Sequence, residues 1–100
     1  MLFHVTLTHT AQTCPAYDPE TMQAFIPALE KLEATAQDLG LKLHFALWAA
    51  PEHVAYALVE GDSLGAIARW VNSVPIRQEF RVTPVQHVQD LVVTARAMAG

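Results

Sequence analysis

Five histidines and a single cysteine carry most of the reactive chemistry in this 100-residue chain. Neutral imidazole is both a base near pH 7 and the commonest metal ligand. His4 lies in Phe3-His4-Val5-Thr6-Leu7-Thr8, where apolar and polar residues alternate, so it falls on the polar face of a strand with Thr6. His44 lies in a similar run, Leu43-His44-Phe45. If the two strands flank a third, the imidazoles start roughly 10 Å apart. Ala57 on the middle strand leaves space between them. Such a pair can share a divalent transition metal such as zinc, or one anionic ligand. Two ligands are too few, so a partner subunit would have to complete the site. The plainer reading makes both histidines polar contacts in a subunit interface.

A small-molecule pocket is the other use of that face. Its ligand-binding residues would be His4, Thr6, His44, Trp48, His53 and Arg81. Arg81 can grip a carboxylate through two parallel hydrogen bonds, Trp48 can form a wall, and His53 is the candidate catalytic base. No organic cofactor is implied. A second grouping gathers at one end of the sheet, where His9, Cys14, Tyr17, Asp18, Trp48, Glu52, His53 and Arg77 come from neighbouring loops. This secondary cleft suits a small polar aromatic or carboxylated ligand. Cys14 would be a nucleophile only if a base or a helix start lowered its pKa. Asp18 has a sufficient role as a helix cap, and Tyr17 can staple that cap.

These residues must be positioned by four strands and their helices. The first strand covers residues 3–8. Asp18-Pro19-Glu20 starts a helix, with Asp at the cap and Pro in the first turn. Met22, Phe25, Leu29, Leu32, Ala36 and Leu39 form its apolar stripe. Pro27 should kink this helix or split off its first turn, and Gly40 ends it. Strands follow at Leu41–Trp48 and His53–Glu60, joined by the hairpin loop Ala49–Glu52. A second helix carries Leu64, Ile67, Val71 and Val74. Phe80 and Val82 mark the last strand, and Val88, Leu91, Val92 and Ala95 a short C-terminal helix.

The order β-α-β-β-α-β is the split βαβ arrangement. Right-handed crossovers give an antiparallel sheet in the order 4-1-3-2, with both helices on one face. Pro84 removes a ladder donor, which suits an edge strand. The expected fold is therefore α+β, a ferredoxin-like single domain over residues 1–100 with an added helix. Strand parity sends Phe3, Val5, Leu7, Leu43, Phe45, Leu47, Val54, Tyr56, Leu58, Phe80 and Val82 toward the helices. The open face then carries His4, Thr6, Thr8, His44, Ala46, Trp48, His53, Ala55, Ala57, Arg81 and Thr83. Across the hairpin, His44 would oppose Ala57, Ala46 Ala55, and Trp48 His53.

Composition sets outer bounds. The chain is 52% hydrophobic and 16% charged, so it is not a disordered tail, and it is apolar enough to need a partner surface. The net charge of −4 and the absence of a basic cluster argue against nucleic-acid binding. One cysteine excludes an intramolecular disulfide. No run reaches the roughly 18 apolar residues of a membrane span. The start of the chain lacks signal-peptide character, so the cytoplasm is the expected location.

In the order and length of its elements the chain resembles the dimeric α+β-barrel superfamily of small ferredoxin-like proteins. The stretches His9-Thr10, Cys14-Pro15-Ala16-Tyr17 and Ala50-Pro51-Glu52-His53-Val54 stand as its punctuation. The superfamily contains cofactor-free monooxygenases, small isomerases and haem-linked enzymes. The resemblance implies a homodimer through the open sheet face. It also implies a small-molecule pocket, with a cofactor-independent enzyme of the monooxygenase or isomerase type as the leading reading. A histidine-based metal-binding protein without catalysis and a plain interaction module are the alternatives.

Overall fold

The computed structural model describes residues 1–100. Its elements run β1 (Leu2–Thr8), a 3-10 turn (Pro15–Tyr17), α1 (Pro19–Glu30), α2 (Leu32–Asp38), β2 (Lys42–Ala49), a second 3-10 turn (Ala50–Glu52), β3 (Val54–Glu60), α3 (Leu64–Asn72), β4 (Glu79–Val85) and α4 (Val88–Ala99). The four strands form one antiparallel sheet in the order β2-β3-β1-β4, the ferredoxin-like arrangement expected. Pro84 sits on β4, an edge strand, the place in a sheet where a missing N–H is tolerated.

Local signals act as their chemistry dictates. The Asp18 carboxylate accepts from the Glu20 amide at 3.1 Å and from the Thr21 hydroxyl at 2.7 Å. The Ser63 hydroxyl accepts from the Ala66 amide at 3.1 Å, capping α3. Gly40, at φ 78°, ends α2: the Leu41 amide donates to the Ala36 carbonyl at 2.8 Å and the Gly40 amide to Gln37 at 3.0 Å. These are the paired bonds of a Schellman ending.

Three expectations are corrected. First, Pro27 lies inside α1, and the break comes at Lys31 (φ −104°, ψ 8°), between α1 and α2. Pro27 cannot donate to the preceding turn, and the helix breaks about one helical turn later, at Lys31. This frees α2 to descend onto the core, where Ala36 is buried, while α1 buries no residue.

Second, β3 presents its other face. Phe3 pairs with Val59, Val5 with Ala57 and Leu7 with Ala55, so these small and medium residues of β3 face the helices. Val54, Tyr56 and Leu58 lie on the open face instead. Both alternating sets of β3 are apolar, so polarity alone does not define its parity. The ladder with β1 does.

Third, a bulge falls between Leu43 and Phe45. The extra residue reverses the parity of the rest of β2. Ala46 pairs with Ala57 and Trp48 with Ala55, on the helix side, while Phe45 and Leu47 join Leu58 and Tyr56 on the open face. The hairpin loop also shifts by one residue, which takes His53 out of the strand and into the turn.

The core consists of Phe3, Val5, Ala36, Leu41, Ala57, Val59, Ile67, Trp70 and Val71. Only ten of the 100 residues are buried, so this chain alone covers little of its apolar surface. None of α4 is buried, and it packs extensively on no other element. The molecule measures 59 × 30 × 18 Å, with a radius of gyration of 16.0 Å. A compact chain of this length would have about 13 Å. No helix is long and apolar enough to cross a membrane.

Candidate functional site

The inward-facing alanines of the central strands create a cleft. Ala46, Ala55 and Ala57 form a floor without bulk, and Met22, Phe25 and Leu29 of α1 form a roof. Trp70 and Val71 of α3 close one side, and Trp48 stands at the rim with 78% of its surface exposed. The volume is about 440 Å³, within the range of small-molecule sites. Nearly all of its lining is apolar.

His9, Cys14 and His53 supply polar atoms at one end. His9 follows β1 directly, and its amide donates to the His53 carbonyl at 3.2 Å. His53 closes the β2–β3 turn in the left-handed region, at φ 54° and ψ 44°. This conformation is uncommon for a residue with a Cβ. It turns the imidazole back across the sheet end, where His53 Nδ1 lies 3.2 Å from His9 Nε2. The rings meet edge to face at a centroid distance of 5.0 Å. Cys14 is held by its own turn, its amide donating to the Ala11 carbonyl at 3.4 Å. The donor atoms of His9, Cys14 and His53 all lie within 4.8 Å of one another, and each residue is half-buried. Burial, and then the neighbouring His53, hold the His9 pKa below its usual value. His9 is thus kept neutral, the form that accepts protons or binds metal. This group can hold a metal ion.

The structure divides the residues expected to share one pocket. His4 lies on the open face opposite Thr83 and Leu58, with its ring 5.9 Å from that of Tyr56. His44 sits at the bulge, and its Nε2 is 2.9 Å from the Glu60 carboxylate. The hydrogen bond from His44 lowers the Glu60 pKa. The surroundings expected of the His4 and His44 pair are different in the structure. Leu58, not Ala57, lies between their strands on that face, and His44 is engaged with Glu60. Thr6 and Arg81 are direct partners across β1 and β4 and line a polar depression of about 360 Å³ with Thr8, Glu79 and Phe80. His53 and Trp48 belong to the other side of the sheet.

The secondary cleft is the grouping the fold brings together, in reduced form. His9, Cys14 and His53 converge, with Trp48 at the rim. Tyr17 is 71% exposed, and Glu52 and Arg77 are also exposed. Asp18 caps α1, and the Thr21 hydroxyl chiefly holds its carboxyl below the usual range. Sequence reasoning missed the apolar cleft itself. Its signal was present in the alternating alanines of β2 and β3 under a long apolar helix stripe.

Fold and site together define a small ferredoxin-like α+β protein with an apolar cleft ending in a histidine–cysteine cluster. The chain belongs to a family described as a domain of unknown function, DUF3303, which matches residues 1–99. No curated protein matches it. It is similar in fold to the crystal structure of SCO4226 from Streptomyces coelicolor A3(2), with a TM-score of 0.50 and 20% identity, over 87% of this chain and 100% of that one.

Proposed function

We propose that the protein is a homodimer that binds a small, largely apolar molecule in the cleft beneath α1. The observation that carries this reading is the cleft of about 440 Å³, floored by three alanines and polar at one end only. An aromatic or aliphatic body fits the floor and roof, and one polar group on it meets His9 and His53. His53 is the residue placed to accept a proton from that group. An isomerase or a cofactor-free monooxygenase of the dimeric α+β-barrel type would need such a base.

The dimer rests on separate support. The open face carries Phe45, Leu47, Tyr56 and Leu58, with Leu47 61% exposed. Val88, Leu91, Val92 and Ala95 form a helical stripe on α4 with nothing of its own chain beneath. Two exposed apolar surfaces on one chain suit an isologous pair, in which each copy covers the other.

Binding is tested by titrating the protein with an apolar fluorophore such as 1-aminoanthracene and following energy transfer from tryptophan. Saturable uptake at one site per chain, lost in Ala55→Leu, is expected. Uptake unchanged by Ala55→Leu would place the probe elsewhere and sink the reading. The assembly is tested by light scattering: the mass should be twice that of the chain, and Leu47→Asp or Leu91→Asp should lower it to one.

A further inference from the structure

We infer that His9, Cys14 and His53 form a zinc site of three protein ligands whose fourth position opens on the apolar cleft. The metal rests on the three donors; with zinc bound, the ion in place of the His53 imidazole meets the polar group of the ligand, and only that role of its fourth position rests on the cleft as a binding site.

The spacing is close to what the ion requires. Tetrahedral zinc, with bonds of roughly 2.1 Å to nitrogen and 2.3 Å to sulfur, sets its donors roughly 3.4–3.6 Å apart. His53 Nδ1 and His9 Nε2 are already 3.2 Å apart. All three donor atoms lie within 4.8 Å, so about one ångström of side-chain movement completes the set. The two ring nitrogens face each other, and a cation between them takes the place of that hydrogen bond, its proton passing to the other nitrogen of the ring that carried it.

The backbone is arranged to hold this geometry. His53 occupies the left-handed region, and it is the only residue other than glycine with positive φ. An ordinary extended conformation there would turn its imidazole away from His9. Such strain persists where the surroundings over-determine it, which is characteristic of binding sites. His9 and Cys14 come from the one loop that follows β1 and His53 from the β2–β3 turn, so the third donor is brought to the other two by tertiary structure.

The donor chemistry selects the ion. Two imidazoles and a thiolate suit zinc, and the group contains no carboxylate for magnesium or calcium. Uptake releases the Cys14 thiol proton, leaving a singly charged thiolate against a doubly charged ion. Structural zinc sites close with four protein ligands, whereas sites that act on a bound molecule keep one position open. All three ligands here line the cleft. The fourth position would therefore meet the donor group of a small apolar molecule, such as a thiolate or a carboxylate.

The test is metal titration of the full-length, chelator-treated protein. Zinc is titrated against a chromophoric competitor, and cobalt(II) serves as the spectroscopic substitute. One zinc per chain is expected. Cobalt should give intense tetrahedral visible bands and a thiolate charge-transfer band. Cys14→Ser should abolish the charge-transfer band, and His9→Gln or His53→Gln should weaken zinc by more than the roughly 10–100-fold of an outer-shell change. Cys14→Ser is nearly isosteric, so it decides the matter where a histidine variant fails to fold. His4→Ala should bind zinc like the wild type. Ala55→Leu should bind zinc while losing the apolar probe, which separates failure of the metal site from failure of the cleft. Uptake of copper(I) but not zinc, octahedral cobalt spectra, or zinc affinity unchanged by Cys14→Ser would each overturn the assignment.

Discussion

Helices α1 and α3 lie over the same side of one sheet and meet it differently. α3 sends Ile67, Trp70 and Val71 into the core, and the Trp70 indole N–H donates to the Leu32 carbonyl at 2.9 Å. α1 carries an apolar stripe too, with Met22, Phe25 and Leu29, and buries none of it. The difference lies partly beneath the helices, where alanines replace larger side chains, and partly at Lys31, where the helix breaks. An apolar stripe at helical spacing therefore shows that a helix faces something apolar. It does not show that the gap between them is filled. Packed interiors tolerate few voids larger than a water molecule, so an interior left open points to an occupant.

The contrast can be broken by substitution. Ile67→Ala should destabilise the protein by about 2–5 kcal/mol, the usual cost of a large-to-small change in a packed core. Met22→Ala should cost less than about 1 kcal/mol, because its site is already open on one side. Equal losses in urea denaturation would show that the two helices are packed alike. Ala55→Leu sharpens the comparison from the other side. It should shift stability by less than about 1 kcal/mol, since overpacking penalties arise only where no space exists. A larger loss would mean that the cleft closes in solution.

The smallest effects come from titration. The folded-state pKa of His9 lies below its usual value of 6.5, so the unfolded chain binds the proton more readily. Its stabilising contribution is complete above that usual value and is lost as pH falls through it toward the depressed one. His9→Gln should flatten the stability profile over this window. Glu60 has the same sign at lower pH. Its contribution holds above the ordinary carboxylate value of 4.5 and is lost as pH falls through the lowered one. His44→Ala should remove that acid slope. Glu60 is exposed and His9 only half-buried, so melting temperatures across pH should move only slightly.

Much of this structure was legible in the residues. The element order, the edge position of the Pro84 strand, the Asp18 cap and the Gly40 ending all followed from local chemistry with a single solution. Parity of β3 did not, because Val54, Tyr56 and Leu58 alternate with Ala55, Ala57 and Val59, and either set can face a core. The bulge at His44 was equally hidden, since one inserted residue leaves no compositional trace. These two features moved the alanines from the open face to the helix face. They carried Trp48 with them and left His4 and His44 on the other side. The end cluster was visible only as a neighbourhood. Its three residues stand in two loops far apart in sequence, His9 and Cys14 after β1 and His53 between β2 and β3, and the backbone turn at His53 that aims its ring is a tertiary effect.

The strand order also bears on how the chain comes to be folded. β1 is synthesised before the other three strands, yet it lies inside the sheet, bonded to β3 on one side and β4 on the other. Leu2 pairs with Val85, so the sheet cannot close until the fourth strand exists. Contacts this distant in sequence pay their loop-closure entropy before they return any stability. The nascent chain therefore leaves the ribosome with its central strand unpaired on one side. Until β4 is made, that open edge of β1 is available to any other unpaired strand.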